Sequence, residues 1–293
     1  MRRLMKTEIL YGIHPVREAL GAGRRTIREI LVNTGGLKKR AADGPGSGRK
    51  NGRGKSAARA SGKEKPEPAG GGRRLEELIR FAENRGIAIT HVPADHLSFL
   101  CRNERHQQVA ARVSPLPVAM DLPPLSGTGF WVVLDGITDP QNLGALARTA
   151  LCAGADGVIQ ARDRSSAPTP AASRASAGAL EHLPLIRVVN LVRSLQELQD
   201  AGIWVTGLDT GGGTDIYDMD FSGPAALVIG AEGKGIRPLV RRHCDFLAAI
   251  PQAGPLDSLN ASAAGAVAMY EVFRQRRAER AARGEDMIRM NTR

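Results

Sequence analysis

Two glycine- and proline-marked loops in the C-terminal third of the chain carry the residue types that could do chemistry. The first is Gly230-Ala231-Glu232-Gly233-Lys234-Gly235, which follows the apolar run Ala225-Ala226-Leu227-Val228-Ile229. The second runs from Pro251 to Ser262 and follows Phe246-Leu247-Ala248-Ala249-Ile250. The first loop lacks the Lys-Ser/Thr ending of a phosphate loop, and its glycines miss the dinucleotide spacing. Such glycines let backbone approach a flat ligand closely, or make a tight turn. Asp257, Ser258 and Asn260 stand where a helix begins, and one such residue suffices to cap orphan N–H groups. Three of them, beside a loop that carries Glu232, predict a polar site.

These loops need a scaffold. Continuous apolar runs bounded by Gly and Pro read as buried strands of a parallel sheet. Two such strand ends set the loops side by side at the carboxyl edge, where open α/β folds bind ligands. Upstream, Phe130 to Leu134 reads as a buried strand and Asn142 to Ala153 as an Ala-rich helix with Asn142 at or near its cap. Strands at 157–160, 185–189 and 203–206, with a helix at 191–200, continue the alternation. The Ala/Ser/Pro-rich stretch 165–179 is expected to cover the cleft as loop and short helix. From Ala261 the last helix is dense in small residues, which permit close backbone packing.

Val228-Ile229-Gly230-Ala231-Glu232-Gly233, and Ile250-Pro251 followed by Ser258-Leu259-Asn260-Ala261-Ser262, resemble the second and third motifs of the SpoU (TrmH-like) RNA ribose 2'-O-methyltransferases. The first motif lies upstream, as Leu134-Asp135-Gly136-Ile137-Thr138-Asp139-Pro140-Gln141-Asn142-Leu143-Gly144 and on through Arg148 to Ala150. The resemblance runs from about Thr128 to Arg277 and is looser over the N-terminal part. Ala261 stands where the family usually has Val, a loss of packing volume away from the chemistry. The family implies an α/β fold in which a C-terminal parallel-sheet domain of the SPOUT type is tied in a deep knot. It implies a small, ribosomal-protein-like α/β substrate-binding domain ahead of it, and a homodimer.

Composition fits an anionic partner. The 293 residues carry a formal charge of +11, which favours nucleic acid. No apolar run reaches the length of a membrane span, and no signal-peptide segment follows Met1. Cys101, Cys152 and Cys244 are scattered and read as reduced, buried small residues of a cytoplasmic protein, with neither a metal site nor a disulfide framework. Residues 1–113 read as the RNA substrate-binding domain, with helices near 13–20, 75–82 and 95–100 and strands near 27–32, 87–92 and 108–113. Asp95 is expected to cap the third of those helices. An insertion at 38–74 interrupts the domain. It holds twelve Lys and Arg against three acids and no Val, Ile, Leu, Met or aromatic residue. It therefore buries too little to offset its ordering entropy and reads as a disordered loop, suited to tethering RNA phosphates. His106-Gln107-Gln108 stands where the family usually has His-Gln-Gly, and His106 is given no catalytic role. The proline-rich stretch 114–129 reads as a linker, 130–279 as the methyltransferase domain and 280–293 as a charged tail.

The resemblance also implies roles. S-adenosylmethionine would lie between the second and third motifs, its adenosine part held by backbone at Gly230, Ile250 and Leu259. Glu232, Ser258 and Asn260 would organise the site, while Asn142 and Arg148 face the RNA. Six residues separate Asn142 from Arg148, about 600° on a helix and so about 120° off the same face. A non-helical cap at Asn142 would still let both line one rim. A guanidinium stays protonated at ordinary pH, so Arg148 suits phosphate contact and alkoxide stabilisation rather than literal base catalysis. The N-terminal part resembles that of members acting on a guanosine of large-subunit 23S rRNA. The alternatives are a tRNA ribose methyltransferase and a non-catalytic RNA-binding or ribosome-assembly protein. A nucleotide-binding oxidoreductase would need a fingerprint that this chain lacks.

Overall fold

The computed structural model describes residues 7–33, 35, 71–125, 127–255 and 258–284. Most of the basic insertion (38–70), Asp257 and the end of the tail (285–293) lie outside the described residues.

The N-terminal unit comprises β1 (Glu8–Tyr11), α1 (Ile13–Ala22), β2 (Ile27–Val32), α2 (Gly71–Glu83), β3 (Ala88–His91), α3 (Ala94–Cys101) and β4 (Val109–Val113). Its sheet has the order β1-β4-β2-β3, with β4 antiparallel to both neighbours and β2 parallel to β3. Leu75, Leu78 and Ala82 of α2 bury against Leu10, Val16 and Ile30, the stripe expected of an amphipathic helix. Two expectations need correction. The last four residues assigned to the insertion, 71–74, already belong to α2, because an apolar stripe marks the packed face of a helix and not its first turn. Asp95 does not cap α3: Pro93 holds that position, and Asp95 sits in the first turn, where its charge meets the helix dipole.

The C-terminal unit comprises β5 (Phe130–Asp135), α4 (Pro140–Cys152), β6 (Gly157–Ala161), α5 (Pro170–Ala175), β7 (Leu185–Val188), α6 (Leu191–Asp200), β8 (Trp204–Leu208), β9 (Thr214–Asp215), β10 (Ala225–Gly230), α7 (Pro238–Arg241), β11 (Phe246–Ala249) and α8 (Ala261–Ala282). All seven strands run parallel, in the order β7-β6-β5-β10-β8-β11-β9. The central strands β5 and β10 are covered on both faces, so Phe130–Leu134 and Ala225–Ile229 read as unbroken apolar runs. Val132 and Leu134 point into the core beneath α4 and α8, while Trp131 and Val133 point into the core beneath α6 and α7.

The strand order corrects one further expectation. β10 and β11 are not neighbours; β8 lies between them, so a third strand end enters the edge where the two loops meet. The linker is also not free. Ala119 pairs with Ile186 on the edge strand β7, its N–H donating to the Leu185 carbonyl (3.1 Å) and its carbonyl accepting from the Arg187 N–H (2.8 Å). An edge strand leaves backbone groups that need partners, and the linker supplies them. The tail begins later than expected. α8 runs on to Ala282, and Glu279 pairs with Arg283 one turn away (2.9 Å). Of the cysteines only Cys101 is buried. Cys152, the last residue of α4, is exposed and Cys244 is half-buried; all three are free thiols. Among the described residues no helix is long and apolar enough to cross a membrane, and no three His, Cys, Asp or Glu gather closely enough to hold a metal.

Candidate active site

The glycine-rich turn after β10 folds back on itself. The Ala231 N–H donates to the Gly235 carbonyl (3.1 Å) and the Gly235 N–H returns a bond to the Ala231 carbonyl (2.8 Å). A side chain at Gly230 has nowhere to go, because its Cβ would stand 2.1 Å from the backbone carbon of Gly235. Asp135 fixes the far end of the turn. It ends β5 in register with Gly230, is almost wholly buried, and accepts from the backbone N–H (2.8 Å) and Nε (2.6 Å) of Arg237. An acidic residue closing an all-apolar strand was the signal for this role, and the sequence reading gave Asp135 none.

Beside the turn lies a cavity of about 670 Å³, within the range of small-molecule sites. Three segments wall it, after β8, β10 and β11. Gly230, Ile250 and Leu259 all line it, as do Glu232, Ser258 and Asn260. Leu208, Ile229, Ile250 and Ala264 supply an apolar floor. Thr210 and Gln252 join the polar rim and were not singled out from the sequence. The run Gly211-Gly212-Gly213 just past β8 was the available sign that a loop turns at this edge.

Asn260 does two things at once. Its Oδ1 caps α8, accepting from the N–H groups of Ser262 (2.9 Å) and Ala263 (3.3 Å) and from the Ser262 hydroxyl (2.5 Å). With the oxygen committed to the helix, the amide Nδ2 must face the other way. It donates to Glu232 Oε1 and lies 3.5 Å from Asn142 Oδ1. Asn142 Nδ2 donates to the same Glu232 oxygen (3.1 Å). Asn142, Glu232 and Asn260 thus form one polar cluster drawn from all three motifs.

Asn142 is not a cap. Asp139 accepts from the Gln141 N–H (3.0 Å), Pro140 follows as the first helical residue, and Asn142 is the third. Asn142 and Arg148 therefore stand on different faces of α4. Arg148 is exposed and does not line the cavity, so the structure brings Asn142 to the cluster and leaves Arg148 outside it. Packing sets α4 closely. A Cβ on Gly265 of α8 would come within 2.4 Å of Leu146, and one on Gly144 within 2.4 Å of Ala175.

The chain matches the SpoU rRNA Methylase family over residues 129–270 and the RNA 2'-O ribose methyltransferase substrate binding family over residues 68–119. It is 42% identical over 208 residues to the 23S rRNA (guanosine-2'-O-)-methyltransferase RlmB of Ralstonia nicotianae, an alignment covering 70% of this chain and 84% of that one. Among solved structures, it is similar to the SpoU methyltransferase AviRb of Streptomyces viridochromogenes in complex with the cofactor AdoMet. That match has a TM-score of 0.67 and 27% identity, over 92% of this chain and 90% of AviRb. A crystal structure of an RNA 2'-O ribose methyltransferase shares the fold at 20% identity, with a TM-score of 0.71 over 93% of this chain and 90% of that one.

Proposed function

This chain belongs to the SpoU rRNA methylase family, and we propose that it transfers a methyl group from S-adenosylmethionine to the ribose 2'-hydroxyl of a guanosine in 23S rRNA. The observation that carries the reading is the Asn142–Glu232–Asn260 cluster at the rim of the cavity. The residues present fit the cofactor. The apolar floor suits a flat adenine, the glycine turn brings backbone close to it, and the Glu232 carboxylate complements a cationic group. S-adenosylmethionine supplies, when bound, a methyl on a positively charged sulfur.

The protein's part is to align an in-line attack and manage one proton. Gly230, Ile250 and Leu259 hold one reactant. Glu232, Asn142 and Asn260 stiffen the rim through shared hydrogen bonds, and Ser258 extends it. Arg148, exposed on the same helix as Asn142, meets the RNA backbone and stabilises negative charge developing on the 2'-oxygen. The family's knot belongs to the same proposal. With β8 between β10 and β11, the chain leaving β10 has to cross β8 before it can pair again. A homodimer is proposed as well; exposed Tyr270, its ring tilted against that of Phe273 (centroids 5.7 Å apart), offers α8 an apolar face to bury, and light scattering of the purified chain at twice the monomer mass is the expected result.

The substrate test is mass spectrometry of nuclease digests after incubation with labelled cofactor and 23S rRNA fragments. Label on a guanosine ribose is expected, and a 2'-deoxy substitution at the target should abolish transfer even where binding persists. Label on a base, or only in tRNA, would refute the assignment.

A further inference from the structure

The N-terminal unit and the methyltransferase unit meet across a buried polar cluster. Arg25, between α1 and β2, is 4% exposed. Its Nε donates to Glu181 Oε2 (2.8 Å), and its Nη2 to the Ser173 hydroxyl (3.0 Å). Its Nη1 donates to Glu8 Oε2 (3.0 Å) and to the Ser114 carbonyl (3.1 Å). Glu181 is fully buried in a short 3-10 turn, Ala179–Glu181, and its second oxygen accepts from the Ser173 hydroxyl (3.0 Å). Arg24 adds bonds to the carbonyls of Leu180, Glu181 and Leu183 and to that of Pro117 in the linker.

A buried ion pair is a poor way to stabilise a contact, since desolvation offsets much of the attraction. It is a good way to fix geometry. The guanidinium fork has rigid donor directions, and here it engages β1, the residue following β4, α5 and the 3-10 turn together. An apolar patch of equal size would tolerate sliding; this cluster does not. The contact also leads to the active site. Ser173 lies on α5, and α5 packs so tightly on α4 that a Cβ at Gly144 would meet Ala175 Cβ at 2.4 Å and the Ala172 carbonyl oxygen at 2.8 Å. Gly144 sits two residues after Asn142 and four before Arg148.

We propose that Arg25, Glu181 and Ser173 are positioning residues that set RNA held by the N-terminal unit in register with Asn142 and Arg148. The inference rests on the methyltransferase reading above. Its test uses the full chain with Glu181→Ala, and with Arg24→Ala as a milder variant that leaves the buried Arg25–Glu181 pair intact and no buried charge unpaired. Small-angle X-ray scattering reports whether the units separate. Methylation of 23S rRNA fragments gives kcat and KM, and calorimetry gives S-adenosylmethionine affinity. For Glu181→Ala we expect a larger radius of gyration and a fall in kcat/KM of about tenfold to a hundredfold. Cofactor affinity should stay within about twofold, and Arg24→Ala should move the same way by less. Variants that remain closed, or that open yet methylate at the wild-type rate, overturn the proposal. A Glu181→Ala or Arg24→Ala protein that loses cofactor binding in parallel overturns it too, since the cluster would then only support the fold. A wild-type chain that methylates no RNA instead defeats the methyltransferase reading, and the positioning role with it.

Discussion

Gly230→Ala puts one methyl group where the backbone leaves no room. Its Cβ would lie 2.1 Å from the Gly235 carbonyl carbon, 2.3 Å from the Ile236 nitrogen and 2.5 Å from the Gly235 oxygen. Favourable carbon contacts begin near 3.5 Å, so the turn has to retreat by roughly 1.4 Å. Nothing flexible stands in the way that could swing aside; all three atoms are main chain. The retreat is opposed by the paired bonds between Ala231 and Gly235 and by the grip of Asp135 on Arg237. Overpacking of this kind costs about 1–3 kcal/mol. Because the same turn walls the cavity, that cost falls on the ligand-ready shape, and S-adenosylmethionine affinity should drop by about 5- to 150-fold. Gly230→Val should abolish binding. Gly254→Ala is the control, since nothing lies within 4 Å of its Cβ. Calorimetry measures the affinity, and thermal unfolding verifies that the variant is folded. A folded Gly230→Ala protein that binds within twofold of wild type would refute the placement of the cofactor against this turn.

Arg148→Ala should lower turnover by about 100- to 1,000-fold, with cofactor affinity unchanged and some activity kept by Arg148→Lys; near-normal turnover of the alanine variant would remove Arg148 from the chemistry. Asp135→Asn leaves Arg237 without its charged acceptor, and chemical denaturation should show a loss of about 1.5–3 kcal/mol together with weaker cofactor binding. Deleting residues 38–70 should weaken RNA binding and flatten its salt dependence while the methylated nucleotide stays the same, as read from filter binding across a salt series. Burial holds His106 below its ordinary value of 6.5, its Nδ1 accepting from the Gln108 N–H (3.1 Å) and its Nε2 facing the Ser98 hydroxyl (3.2 Å). The unfolded chain thus takes the proton first. This contribution to stability is complete above pH about 6.5 and is lost as pH falls through the lower, folded value, so His106→Gln should flatten the melting temperature between pH 7.5 and 5.

Most strands were legible as short apolar runs, and β2 fell on the expected residues, but β1 and the two-residue β9 were not read from the sequence. The strand order was not legible. Runs buried on both faces look alike, and nothing in Trp204–Leu208 says that β8 slots between β10 and β11. That missing neighbour hid Thr210 from the sequence reading. Asn142 was misplaced for a different reason. Asp139 and Asn142 are both good caps, and the local sequence offers either; Pro140, suited to the first helical position, settles the choice on Asp139. The contact of Arg25 with Glu181 spans 156 positions in the chain, and either residue taken alone reads as an ordinary solvated charge.

Where the family usually has glycine, this chain bends through Gln107 at φ 54 and Gln108 at φ 62, a conformation that costs a side-chain-bearing residue about 1–2 kcal/mol. The turn is nevertheless held, because Gln107 Oε1 accepts from the Ile13 N–H (2.9 Å) at the start of α1 and the Gln108 N–H donates to His106. The side chain at 107 thus ties the turn to α1, and the strain at 108 is offset by a bond that its own backbone makes. Asn260 follows the same logic at the active site. One amide is asked to cap a helix and to hold Glu232, and the first bond set determines the direction of the second. Local structure and site geometry are then one constraint, so replacing Asn260 by Asp would keep the cap while turning a donor toward Glu232 into a second negative charge.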